Sequence, residues 1–178
     1  MKKDLISALV AVLACTLLLG LAYPLVVTGI AQVAFGAKAD GDPNLIARDV
    51  HGSPRYFQPR PSATDWSATA TAFANRGPNQ ASAKAFYLAQ IAAYRRLNGD
   101  VTPPADAVTA SASGVDPLIS QANARIQARR VARVRGIPLA RVGALVRAAT
   151  DGRSLGVLGE PGVNTTKLNR ALDAEASR

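Results

Sequence analysis

Between Asp4 and Lys38 the chain carries no charged side chain, and nothing else in it constrains the fold as strongly. The run from Leu5 to Phe35 reads LISALVAVLACTLLLGLAYPLVVTGIAQVAF. An α-helix rises about 1.5 Å per residue and a bilayer's hydrocarbon core is about 30 Å thick, so roughly 20 apolar residues span it. This run is longer, which leaves length for tilt or for a helical stalk beyond the lipid. A cleaved signal peptide is the competing reading, because Ala37-Lys38-Ala39 has the small-x-small form of a cleavage site. The apolar core of a signal peptide runs only about 7–15 residues, so the length favours a retained anchor. The rest of the chain is then a domain tethered to a membrane.

Flanking cations set orientation. Lys2, Lys3 and the amino terminus precede the run, while Lys38, Asp40 and Asp42 follow it and the first arginine is Arg48. This bias places residues 1–4 in the cytoplasm, residues 5–35 in the membrane and stalk, and the domain outside. Ser7, Ala11 and Cys15 recur every four residues, a small face that lets a second helix pack closely. Pro24 removes one helical hydrogen bond and marks a kink or an exit from the core. Tyr23 suits an interface, and Thr28 and Gln32 place the last turns nearer headgroups or protein than acyl chains.

Of 178 residues, about 140 remain after the anchor, enough for one domain with its own core. The single cysteine lies in the membrane run, so no disulfide staples the domain and no cysteine-ligated zinc site is available to it. His51 is the only histidine, which leaves little material for a His-based metal site or triad. In Val-His-Gly-Ser-Pro it reads as a solvated loop imidazole. The net charge of +9 raises nucleic acid or anionic lipid as partners. Arginine and alanine are abundant together, aromatics make up only 5%, and no nucleic-acid-binding signature is present, so nucleic acid is excluded.

Residues 36–54 are Gly-, Pro- and Asp-rich and read as a linker, which makes 55–178 the folded domain. Tyr56-Phe57-Gln58, bounded by Pro59 and Pro61, predicts an edge strand or extended segment. Ser62 to Pro78 reads as loop, with Trp66 and Phe73 its only large anchors and Gly77-Pro78-Asn79 a turn. A helix capped by Ser82 carries Tyr87, Ile91, Tyr94 and Leu97 on one stripe and ends at Asn98-Gly99. Ala107 to Ser113 predicts a strand ending at Gly114. A second helix starts at Asp116 or Ser120 and runs to Gly136, its arginines 125, 129, 130, 133 and 135 read as a solvated face. Pro138 opens a third, with Val142, Leu145, Val146 and Ala149 on one stripe and Asp151-Gly152 as its stop. Leu155 to Gly159 looks short and buried, and a last helix from Thr165 carries Leu168 and Leu172. Several helices with a few short strands predict an α+β domain behind a single transmembrane helix.

No HExxH, Walker-type or Rossmann glycine motif is present. Asp106 and Asp116 could be imagined as a carboxylate pair, but each reads better as a turn former or helix cap. Glu160, in Gly-Glu-Pro-Gly, is a turn carboxylate suited to pairing with an arginine.

Several strings add more. They are Gly20-Leu21-Ala22-Tyr23-Pro24-Leu25, Tyr56-Phe57-Gln58-Pro59-Arg60-Pro61-Ser62-Ala63 and Pro104-Ala105-Asp106-Ala107-Val108-Thr109-Ala110-Ser111. Then come Ser113-Gly114-Val115-Asp116-Pro117, Arg153 through Pro161, Val163-Asn164, and Leu168-Asn169-Arg170-Ala171-Leu172-Asp173. In this order they resemble the C subunit of the bacterial Kdp potassium-transporting ATPase, over nearly the whole chain. The resemblance implies a single-pass accessory subunit of a high-affinity, ATP-driven potassium importer in the bacterial inner membrane, itself without catalysis. Its implied partners are a channel-like potassium-translocating subunit, a P-type ATPase subunit, a small single-helix subunit and the lipid bilayer. Its implied role is assembly and, as a catalytic chaperone, a higher ATP affinity of the ATPase subunit. Tyr56, Phe57, Gln58, Arg60, Asp106, Asp116, Glu160 and Asn164 lie in the matching strings and are the implied motif or partner-contact residues. No metal is implied, and ATP enters only as a family-level proposal.

The chain departs from the family at two places. The family's Ser-Gly-Gly-Ser-Asn-Leu-Gly-Pro, likened to a nucleotide-contacting signature, is here Thr71-Ala72-Phe73-Ala74-Asn75-Arg76-Gly77-Pro78. The family's Asp-Pro-His-Ile-Ser-Pro is here Asp116-Pro117-Leu118-Ile119-Ser120-Gln121, with no histidine. Two other classes stay open on the residues alone. One is an anchored outer-face enzyme using Asp106, Asp116 or Glu160; the other is a binding module for acidic polymer or lipid using the helix arginines.

Overall fold

The computed structural model describes residues 2–39 and 41–176, and the chain divides into Met1–Asp42 and Pro43–Arg178. The side chains of the Ala37-Lys38-Ala39 site and the last two residues of the expected domain lie outside the described residues.

The first unit is one helical rod, α1 (Lys2–Leu17), a π-helical turn (Leu18–Ala22) and α2 (Tyr23–Ala39). A stretch of 35 residues, Lys2–Gly36, is apolar enough to cross a membrane, and none of its most apolar window is buried. Pro24 explains the π turn. Its ring would collide with the carbonyl four residues back, and widening the preceding turn relieves that contact. Tyr23 N–H accordingly reaches back five residues to Leu18 O. Further on, Phe35 leaves helical geometry at φ −136° and ψ 31°, so the rod is interrupted there. The Thr16 hydroxyl donates to Val12 O at 2.8 Å, which satisfies it within the helix in an apolar setting.

The second unit is α+β. Its elements are a 3-10 turn (Pro43–Leu45), α3 (Ala81–Asn98), α4 (Ala105–Val108), β1 (Leu118–Ser120), α5 (Gln121–Arg135), α6 (Leu139–Ala148), β2 (Thr150–Asp151), β3 (Gly162–Asn164) and α7 (Thr165–Ala176). The antiparallel sheet has the order β1-β3-β2, with Ile119 opposite Val163 and Thr150 also opposite Val163. Helices α5 and α7 pack on it, and α6 packs against both. Their buried stripes meet Phe57, Ile119 and Val163 in one core containing Val131, Val142, Leu168 and Leu172.

Local chemistry sets the ends of α5. The Ser120 hydroxyl accepts from Asn123 N–H at 3.1 Å, and Gly136 closes the helix at φ 69°. The helix therefore starts from Ser120 rather than Asp116, and Pro117 precedes it. The stripe of α6 buries Val142 and Ala149, with Leu145 and Val146 half-buried against the core, as its spacing predicts.

Five expectations are corrected. Ala107 to Ser113 is not a strand: Pro103-Pro104 and Asp106 start α4, and Ser111 then turns the chain with its hydroxyl accepting from Gly114 N–H (3.1 Å) and Asp116 N–H (3.3 Å). Side-chain oxygens there satisfy the donors that a strand ladder would otherwise take. Gly114, at φ 78°, also lies so close to Thr64 that a Cβ would meet its Oγ1 at 2.5 Å. Ser82 does not cap α3, which begins after the extended residue Gln80. Thr150-Asp151 pairs with β3, so the chain turns into a strand where a stop was expected. Leu155 to Gly159 is exposed, a hairpin tip closed by the Ser154–Leu158 bridge. Phe73 is exposed and anchors nothing in this unit, whereas Trp66 donates its indole N–H to Arg60 O at 3.0 Å.

The expected linker is in its second half part of the folded unit. Ala47 is buried and its N–H donates to Val115 O at 2.8 Å, while Ile46 O and Asn44 O accept from Thr166 and Asn164 of the α7 region.

Candidate functional site

Tyr56 to Arg60 crosses the second unit without joining the sheet, so its backbone groups need other partners. Two side-chain amides supply them. Phe57 N–H donates to Asn169 Oδ1 at 2.9 Å and Asn169 Nδ2 returns to Phe57 O at 2.9 Å. Gln58 N–H donates to Gln127 Oε1 at 2.7 Å and Gln127 Nε2 returns to Gln58 O at 3.1 Å. Successive residues of an extended chain present their N–H and C=O to opposite sides. Hence α7 holds Phe57 from one side and α5 holds Gln58 from the other, each amide imitating a neighbouring strand. Pro59 lacks an N–H, so only its carbonyl needs a partner.

Arg130 fixes the approach to this segment. Its guanidinium donates to Pro54 O (3.1 Å), Tyr56 O (2.6 Å), Asn98 Oδ1 (2.8 Å) and Gln127 Oε1 (3.0 Å). The residue is only 3% exposed. Arg135 works the same way at the end of α5, donating to Arg55 O at 2.7 Å and Leu172 O at 3.0 Å, pairing with Asp173 at 2.9 Å and lying over the Tyr56 ring at 4.7 Å. The α5 arginines are therefore not one solvated face: Arg125, Arg129 and Arg133 are exposed, while Arg130 and the Arg135 side chain are buried.

The network continues through Asn123, which accepts from Tyr94 Oη at 2.9 Å and from Gln127 Nε2 at 2.9 Å, and donates to Asp106 Oδ2 at 3.0 Å. Burial pushes the Tyr94 phenol up to about 12, with Arg130 opposing and Asp106 adding. Burial pulls Arg130 down to about 10, with Tyr94 opposing. Arg130 thus keeps its charge, and Tyr94 its proton, throughout the neutral range.

The remaining motif residues occupy separate places. The Asp106 carboxylate accepts from Ser120 N–H and Oγ, both at 2.8 Å, so it ties α4 to the start of α5. Asp116 accepts from Leu118 N–H at 2.9 Å and faces Arg60 at 3.5 Å, while Arg60 also donates to Ala110 O at 3.2 Å. The two aspartates hold different partners and form no acid–base pair. Asn164 caps α7 by accepting from Lys167 N–H at 3.0 Å and donates to Asn44 O at 2.7 Å. Glu160 pairs with Arg153 at 3.2 Å on the exposed hairpin, away from all of these. His51 is exposed, paired with Asp49 at 2.8 Å. In the first unit Ser7, Ala11 and Cys15 are all exposed along one face of α1.

A cleft of about 410 Å³ opens beside Tyr56 and Asn169, lined also by Arg48, His51, Arg170 and Asp173. Among the described residues no group of His, Cys, Asp and Glu is placed to hold a metal ion. What the site does chemically is fix a shape: an extended segment whose backbone donors and acceptors are saturated by buried side chains. Of its principal builders, the sequence reading passed over Asn123 and Gln127, named Asn169 only within a matching string, and placed Arg130 on a solvated face. The signal was present, since 123, 127 and 130 follow helical spacing on the inward face of α5.

The family model described as "KdpC: K+-transporting ATPase, c chain" matches residues 5–174. The chain is 45% identical over 183 residues to the potassium-transporting ATPase KdpC subunit of Cereibacter sphaeroides, covering 98% of each. It is 46% identical over 189 residues to the protein of that name from Caulobacter vibrioides, covering 98% of this chain and 94% of the other. The corresponding figures for the Mycobacterium tuberculosis protein of that name are 42% over 189 residues, with 97% and 99% covered.

Proposed function

Because this chain belongs to the KdpC family, the c chain of potassium-transporting ATPases, we propose that it serves as the non-catalytic accessory subunit of an ATP-driven potassium importer. The observation that carries the reading is the match from residue 5 to residue 174, which takes in both the apolar rod and the folded unit. The rod is exposed and apolar all round, which suits burial in lipid and against other membrane helices. Ser7, Ala11 and Cys15 are the face we assign to helix packing. In this reading the folded unit lies outside the cytoplasmic membrane and contacts the channel-like potassium-translocating subunit, the P-type ATPase subunit and the small single-helix subunit. It promotes assembly and raises the ATPase subunit's ATP affinity through those contacts. It turns over no nucleotide itself: the sequence carries no Walker-type loop and no phosphorylatable P-type motif.

Topology tests this directly. Ser82→Cys in a Cys15→Ser background places a lone thiol at an exposed position of α3. An impermeant maleimide is expected to label it on intact spheroplasts. Labelling only after lysis would put the folded unit in the cytoplasm, overturn the orientation and favour direct contact with ATP.

A further inference from the structure

Two clefts of the folded unit meet at Arg48 and Arg170. One is the cleft of about 410 Å³ beside Tyr56, and the other, of about 530 Å³, is lined also by Pro43, Ile46 and Trp66. The donors here are open. Arg48 is exposed and has no ion pair or hydrogen bond among the described residues. Arg170, also exposed, gives one Nη to the neutral Asn44 Oδ1 at 3.3 Å. The Tyr56 hydroxyl has no partner among the described residues either. The acceptors are engaged. Asp49 receives His51 N–H at 2.7 Å on one carboxylate oxygen and His51 Nδ1 at 2.8 Å on the other. Asp173 is matched by Arg135 at 2.9 Å. Open donors beside occupied carboxylates are complemented by an anionic acceptor.

Charge and surface narrow its class. With Asp173 matched by Arg135, two arginines stand against Asp49 alone, a net +1. A phosphodiester carries one negative charge, whereas a phosphate monoester carries about −1.5 to −2 at neutral pH and a nucleoside triphosphate more. Guanidinium forks suit phosphate oxygens. A zwitterionic headgroup would add a cation where donors are already in excess. On the far side of the same arginines, Pro43, Ile46 and the half-buried Trp66 offer an apolar surface to a hydrocarbon part. In sequence these residues follow closely on the apolar stretch that ends at Gly36. We propose that Arg48 and Arg170 clamp the phosphodiester of an anionic phospholipid of the phosphatidylglycerol class. The Tyr56 hydroxyl donates a further bond, and the Pro43–Ile46–Trp66 side takes the glycerol and the upper acyl chain. This site goes beyond the accessory-subunit reading and does not rest on it.

Trp66 is the only tryptophan in the chain, so its fluorescence reports on the site. The test places the full-length chain in phosphatidylcholine vesicles that contain, at equal mole fraction, phosphatidylglycerol or phosphatidylcholine brominated on the acyl chains. Brominated phosphatidylglycerol is expected to quench Trp66 at least about twofold more strongly. Arg48→Gln/Arg170→Gln is expected to abolish that preference with thermal unfolding unchanged. Arg125→Gln/Arg129→Gln removes the same charge from exposed positions of α5 and is expected to keep it. Equal quenching of wild type by the two lipids overturns the site. Loss of the preference in both double variants reduces the effect to net charge and also overturns it. If excess glycerol 3-phosphate abolishes the preference in wild type, the site takes soluble phosphate esters and the lipid assignment fails. Each of these outcomes leaves the subunit reading standing.

Discussion

Arg130→Met unfolds the second unit at a temperature about 10–15 °C below wild type, measured by circular dichroism on the purified full-length chain. The expected size follows from what one guanidinium does. It serves the carbonyls of Pro54 and Tyr56 and the side-chain oxygens of Asn98 and Gln127, with almost no access to water. Methionine fills similar volume but donates nothing, so these acceptors lose charge-assisted bonds. Bonds to a charged donor contribute about 1.5–3 kcal/mol each, and acceptors stranded in the interior lose hydration as well. Because burial also penalises the arginine itself, a net loss of about 3–5 kcal/mol is the realistic figure, not the sum. Domains of this size are stable by only about 5–15 kcal/mol, and each kcal/mol shifts unfolding by roughly 3 °C. Arg129→Met, one residue away on the exposed face, should change stability by no more than about 0.5 kcal/mol. Equal melting of the two variants would show that Arg130 does not hold the approach to Tyr56.

The second large effect is expected from Asn169→Leu. Leucine keeps the branched skeleton but puts two larger methyl groups where the amide made 2.9 Å contacts, so both bonds to Phe57 are lost and the segment is pushed away. A buried N–H and a buried C=O then lack partners, at about 1–3 kcal/mol each. A loss of about 2–4 kcal/mol is expected, together with fast hydrogen exchange at the Phe57 amide, which wild type protects. Exchange at Phe57 as slow as in wild type would mean that another group holds the segment.

These two positions show where reading from residues reached and where it stopped. The anchor was legible because membrane crossing depends on length and missing charge, both local properties. Helices α5, α6 and α7 were legible because caps and apolar spacing act within a few residues, as Ser120, Gly136 and the Val142 stripe show. The Tyr56–Gln58 segment was recognised as extended, yet its partners lie 69 and 112 residues away in sequence and are side chains. No periodicity reports that. Ala107 to Ser113 had a strand-like composition, but prolines before it and serine hydroxyls within it offered the backbone a nearer solution. Leu155 to Gly159 looked buried because it is apolar, and apolar residues are not obliged to be inside. The eight motif residues were marked as such only by resemblance; Tyr56, Phe57, Gln58 and Asp106 enter the bonded network, Arg60 and Asp116 pair beside it, and Asn164 and Glu160 stand apart, on the α7 cap and the hairpin.

The measurement that bears most directly on the whole account is purification of the tagged full-length chain from its native membrane under mild detergent, followed by an ATPase assay. The account predicts that it comes out with a channel-like subunit, a P-type ATPase subunit and a small single-helix subunit, and that the preparation hydrolyses ATP in a potassium-dependent manner. A chain recovered alone, or with partners that transport no potassium, would contradict it.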